Sequence, residues 1–220
     1  MTENNRKEPQ SNVQQSHFNW AVYGDATLAG LSVLLPIPFL DDAVERHFRR
    51  RMPAAIAQAN QQRLDPAIID ILNRGERGFF ASTVLYVLKI PLKLIVRLSR
   101  KIFYVLTVHE ATEKLSYYWQ RAFLLNYMME AGHLHSAESS EHAQQAMERT
   151  IERTSSPLGS LARHVVRNVG SVWRVARHAL RGRNKEVWSE SRDMVSREWN
   201  SYATFFERLS EQYEQHYQQR

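Results

Sequence analysis

Two short spacings could carry chemistry: His109-Glu-Ala-Thr-Glu113 and Glu130-Ala-Gly-His133. A zinc-held water needs two histidines one helical turn apart, with a glutamate beside the first to act as base. Glu113 stands where the second histidine would have to be, and no later ligand is marked out. Glu130 and His133 have the Glu-x-x-His spacing of a di-metal helical bundle. Such a site needs two of these pairs and two further glutamates on facing helices. One pair is evident, and it straddles Gly132, a helix-ending residue. Glu138, Glu141 and His142 follow nearby, without a spacing that recruits them. No glycine-rich phosphate loop or nucleophile elbow occurs. The chain has no cysteine, which excludes thiolate chemistry and a disulfide framework. The expectation is a non-enzyme with no catalytic residue, no metal and no cofactor.

The elements that would position these residues read as helices. Gly totals 8 and Pro 7 in 220 residues, and no period-2 strand pattern appears. The expected fold is all-α: a multi-helix domain with amphipathic basic helices and a long C-terminal helix. Residues 1–15 are polar, lack an apolar signal region and read as a disordered tail. Residues 16–157 form an apolar helical domain. Residues 158–220 add a basic helix and an acidic aromatic helix packed on the same domain. In the apolar block 17–40, Pro36 and Pro38 should end a helix near Leu35. Asp41 and Asp42 suit the start of a helix over 43–62, which Pro53 would kink or split. Asp65-Pro66 starts a short helix ending at Asn73. A long helix closes at Gly132. Ser155 to Gly159 break the chain before a helix over 160–181, and Gly182 separates that from a last helix over 185–217.

Charge is segregated along this framework. The chain carries a formal +6. Residues 79–108 hold five Lys/Arg and no acid, and residues 158–185 hold seven and no acid. Residues 109–157 and 186–220 each hold seven acids against four basic residues. Such blocks imply contacting faces within the protein or an anionic partner. In the stretch 82–108, Lys89, Lys93, Arg97 and Arg100 fall within a stripe of about 80°, with Lys101 beside it and apolar residues around the rest. As a membrane span this stretch is at best neutral. Its ten Leu/Ile/Val over 82–101 contribute roughly −3 to −6 kcal/mol, and each central basic residue opposes them by up to about 3 kcal/mol. Lying on a bilayer, with the stripe against anionic head groups, fits better. A core helix with one solvated edge would look similar. Arg163, Arg167, Arg174, Arg177 and Arg181 form a second stripe, of about 100°, on the helix over 160–181.

Leu34, Leu35, Ile37 and Phe39, followed by the basic HFRRRM at 47–52, are candidates for apolar contact with a membrane or partner. So are Trp188, Trp199 and Phe206, which lie on a near-heptad aromatic seam. That seam is expected to dock within the chain first, antiparallel on 160–181, and to serve a protein partner or homo-oligomer second. The sequence therefore points to a peripheral helical protein at the cytoplasmic face of a membrane, an adaptor that binds anionic lipid surfaces. The alternative is a soluble helical interaction module with no membrane contact. A metal-dependent enzyme and a nucleic-acid binder rank below both. No helix-turn-helix or finger signature is present, so nucleic acid is not an expected partner.

Overall fold

A computed structural model describes residues 18–34, 40–74, 100–176 and 195–219. The fold is all-α, with no strand among the described residues. Helix α1 is Trp20–Leu31, capped by the Asn19 side chain accepting from the Ala21 N–H at 3.0 Å. A 3₁₀ turn, Ser32–Leu34, follows. Helix α2, Leu40–Ala59, begins with Asp41 and Asp42 in its first turn, where the helix dipole favours acids, and runs unbroken past Pro53. Helix α3 is Pro66–Leu72, with Asp65 as N-cap and Asn73 as C-cap. Helix α4 is Arg100–Glu130, and helix α5 is Ala137–Arg153, opened by a capping box between Ser136 and Ser139. Helix α6 is Gly159–Ala176. A helical turn over 195–199 and a 3₁₀ turn, Asn200–Tyr202, lead into helix α7, Ala203–Gln218.

Two helix ends share one solution. At the end of α2, the Gln62 N–H donates to Ala57 O and the Gln61 N–H to Gln58 O. At the end of α4, the His133 N–H donates to Met128 O and the Gly132 N–H to Met129 O. Both are the paired bonds that close a helix through a left-handed residue. That residue is Gly132 (φ 74°) in one case and Gln61 (φ 56°) in the other.

Helix α4 is the axis. The Thr27 hydroxyl accepts from Trp119 Nε1 at 3.0 Å, and Gly30 crosses Leu115 so closely that a Cβ there would lie 2.5 Å from Leu115 Cα. These two contacts set α1 antiparallel to α4. Glu45 meets Lys114 and Tyr118, and Asn60 meets Asn126, so α2 runs parallel to α4. The ring pairs Trp119–Trp199, Phe123–Phe206 and Tyr127–Tyr213 set α7 parallel to α4 as well. Helix α5 returns antiparallel along α7 through His142–Tyr217 and Thr154–Gln212. The Ser116 hydroxyl donates to Ser156 at 2.9 Å, and α6 then packs on α4. Its start therefore lies beside the middle of α4. One continuous core results. At its centre, Phe18, Tyr23, Trp119, Trp199 and Phe206 form an aromatic nest with edge and stacked contacts.

The C-terminal helix docks inside the chain, but its main partner is α5, with α4 second. The antiparallel partner expected from the charge blocks was the helix over 160–181. Aromatic burial, which is short-ranged and large, sets the docking here. Charge blocks on exposed faces are screened and contribute less.

Candidate functional site

The basic residues divide by exposure. On α6, Arg163, His164 and Arg167 are exposed, while Leu161, Ala162, Val165 and Val166 are buried against the core. Arg174 lies in the last turn of α6, and Arg100 and Lys101 open α4. Lys89, Lys93, Arg97, Arg177 and Arg181 lie outside the described residues.

Of the apolar candidates, Leu34 is half-buried and packs against the core. Leu35, Ile37, Phe39 and Trp188 lie outside the described residues. Trp199 and Phe206 are covered by the chain itself, 1% and 5% exposed. Trp199 meets Phe18, Tyr23 and Trp119, and Phe206 meets Phe123. In this structure neither ring offers an outward contact.

The spacings that suggested metal chemistry serve packing. Glu110 pairs with Lys114 one turn on at 3.4 Å, and Lys114 donates to Glu45 Oε2 at 2.7 Å. The Tyr118 hydroxyl donates to the other Glu45 oxygen at 2.6 Å. Burial opposes the Lys114 charge, but Glu45 and then Glu110 outweigh it and hold the lysine above its ordinary range. Glu130 accepts from the Asn126 side chain. His133 Nδ1 lies 2.9 Å from the Tyr213 hydroxyl, and its ring stacks on Tyr217 with centroids 4.0 Å apart. Its Nε2 is 3.9 Å from Glu214. His142 Nε2 donates to the Tyr217 carbonyl, and His216 Nδ1 lies 2.9 Å from the Thr150 hydroxyl. These three histidines thus line the seam where α7 meets α5 and the turn after α4. Among the described residues, no group of three His, Asp or Glu is placed to hold a metal ion.

Sequence reasoning missed the orientation of α1. Asp25 and Thr27 point inward, 5% and 2% exposed. Asp25 accepts two bonds from Arg51, one from Nε at 2.9 Å. The Thr27 hydroxyl donates to Tyr23 O. The outward face carries Ala21, Gly24 and Leu28. The available signal was a single acid in an otherwise apolar helix, which, once buried, demands a cationic partner. HFRRRM supplies that partner.

No protein-family model, curated protein or solved structure matches the chain. Among the described residues, no helix is long and apolar enough to cross a membrane.

Proposed function

We propose that this protein is a non-enzymatic helical adaptor that sits peripherally on the cytoplasmic face of a membrane and binds anionic lipid through its basic helices. The observation that carries this reading is the division of α6. Its apolar residues Leu161, Val165 and Val166 are used inside the chain, and Arg163, His164 and Arg167 are left facing outward. Contact through that half of α6 is therefore charge-driven, with about 1 kcal/mol available per basic residue near an anionic surface. It weakens as salt shortens the Debye length.

Flotation of the full chain with vesicles containing or lacking anionic lipid tests the reading. Binding should require anionic lipid and fall with added salt. It should also weaken in Arg163→Gln/Arg167→Gln and in Lys89→Gln/Lys93→Gln/Arg97→Gln, provided both variants remain folded. A second reading, a helical interaction module without membrane contact, draws support from burial of the apolar faces of α1 and α7 within the chain. It expects no flotation at any salt concentration.

A further inference from the structure

The fold divides the basic run HFRRRM, residues 47–52. Arg51 closes on the buried Asp25 of α1, with its guanidinium over the Phe48 ring, and Met52 is fully buried. The Asp25 contact fixes the side of α2 that faces α1. Arg50 and Arg46 lie about 100° and about 140° from Arg51 around the helix axis, on the side away from α1. They are one turn apart on one face, and both are exposed. The Asn73 side chain, at the C-cap of α3, donates to the Arg50 carbonyl at 3.3 Å. Arg74, the next residue, is exposed as well. Arg46, Arg50 and Arg74 therefore stand along one edge, where the end of α3 meets α2.

The acids near this edge leave its arginines unpaired. Glu45, beside Arg46 in sequence, is turned inward and bound by Lys114 and Tyr118. Asp42 and Asp70 are exposed, one turn before Arg46 and Arg74 respectively, and among the described residues neither forms an ion pair with them. An unpaired guanidinium offers a planar fork of donors that matches phosphate oxygens two at a time. The edge has little to insert into an acyl layer, because Leu28, on α1, is the one exposed large apolar side chain among the described residues. No described Phe, Tyr or Trp is exposed for a nucleic-acid base to stack on. The chemistry that fits is a sheet of phosphates met by charge at the level of the head groups.

We infer that the α2–α3 edge carrying Arg46, Arg50 and Arg74 is a phosphate-binding face through which the protein seats on anionic lipid, in addition to α6. This rests on the membrane reading above and adds a contact to it. The neighbouring arginines of α2 have separate tasks: Arg51 belongs to the fold, since Asp25 occupies it, while Arg46 and Arg50 are left for the lipid.

Because the chain has no cysteine, a single reporter can be placed cleanly. Ala54→Cys, exposed on α2 one turn after Arg50, carries a fluorophore and is compared with Gln215→Cys, exposed on α7. Both are mixed with vesicles of phosphatidylcholine, with and without phosphatidylserine, that hold lipids bearing a nitroxide on the head group. The expected result is quenching at position 54, only with phosphatidylserine, and none at position 215. In flotation of the full chain, Arg46→Gln/Arg50→Gln should lower partitioning by about tenfold or more. Arg149→Gln/Arg153→Gln removes the same charge from exposed positions on α5 and should leave partitioning nearly unchanged. A chain that floats while position 54 escapes quenching overturns this face and leaves the membrane reading intact. Equal losses from the two double variants would assign the effect to net charge and also overturn the face. Shielding of position 54 by a DNA duplex but not by vesicles would give the arginines to nucleic acid. A chain that never floats overturns the membrane reading, and this inference with it.

Discussion

Arg51 reaches from α2 to close a two-bond ion pair on Asp25, the single charged residue of α1, and the two partners differ sharply in exposure. The Asp25 side chain is 5% exposed and that of Arg51 54%. The hydrogen bond from Arg51 to Asp25 is the main cause holding the arginine above its ordinary range. The two deletions should therefore be unequal. Arg51→Gln strands a buried carboxylate and should cost about 2 kcal/mol, below the range for fully buried pairs because solvent already screens the arginine. Asp25→Asn leaves a guanidinium that water can solvate, and should cost about half as much. Urea unfolding of both variants checks the order. An equal or reversed cost would mean that Asp25 is not the residue that needs its partner.

The two described glycines of α1 should respond in opposite directions. Gly30→Ala pushes a methyl to 2.5 Å from backbone atoms of Leu115, where no flexible side chain can yield. The helices must separate, at a cost of about 1–3 kcal/mol. Gly24 faces open space, and Gly24→Ala gains helix propensity of about 0.8–1 kcal/mol. Thermal denaturation should show the melting temperature falling for the first and rising for the second. A harmless Gly30→Ala would remove the close crossing of α1 and α4.

The left-handed helix ends give another matched pair. Gly132 (φ 74°) meets the conformation without a Cβ clash, whereas Gln61 (φ 56°) tolerates one. Gly132→Ala should lose about 1–2 kcal/mol, and Gln61→Gly should gain up to about 1 kcal/mol. Denaturant midpoints of the two variants report both signs. A destabilising Gln61→Gly would show that the glutamine side chain matters more than its backbone angle.

The histidine seam predicts acid sensitivity. Burial lowers the affinity of His133 for a proton, and the nearby His135 and His142 add to this against an opposing pull from Glu214. His216 is lowered too, by burial and then by Arg153 and Arg149. With the folded value depressed, both states are neutral above about pH 6.5 and the histidines contribute no pH dependence there. Below that, the unfolded chain takes up protons first, so stability falls with pH until the folded-state values are passed. His133→Gln should flatten the loss that sets in below about pH 6.5, as read from urea midpoints at each pH. An unchanged slope would place the acid sensitivity elsewhere.

Much of this architecture is written locally in the sequence. Asp65-Pro66 starts a helix because a capping side chain precedes a residue that needs no N–H bond, and Gly132 ends one because the backbone there turns left-handed. Gln61 does the same at α2 without any signal in its side chain. The inward turn of the one charged residue of α1 is not local either. Periodicity reports which residues are apolar, but the inward turn of Asp25 depends on Arg51, 26 residues away. The seating of α7 on α5 likewise depends on which aromatic rings fit together, and charge blocks carry little information about that. Of the candidate surface, Arg163 and Arg167 were legible from the stripe on α6.

The C-terminal helix supplies the last prediction. Phe206 is 5% exposed and meets Phe123 and Trp199, each with centroids 4.7 Å away. Leu209 and Tyr213 continue the same buried face. If α7 is part of the core, Phe206→Ala should cost about 3–5 kcal/mol, the transfer term plus a cavity among rings that cannot collapse together. Trp119 and Trp199 lie in the same nest, so near-ultraviolet circular dichroism should lose aromatic signal as the nest loosens. Binding of a hydrophobic dye should rise through exposure of Phe18 and Tyr23. Phe206→Leu, which refills most of the volume, should recover much of the loss. If α7 were instead a detachable arm that serves a partner, Phe206→Ala would leave the unfolding midpoint and the aromatic signal unchanged. That outcome would return Trp199 and Phe206 to the set of surface contacts from which the docked structure withdraws them.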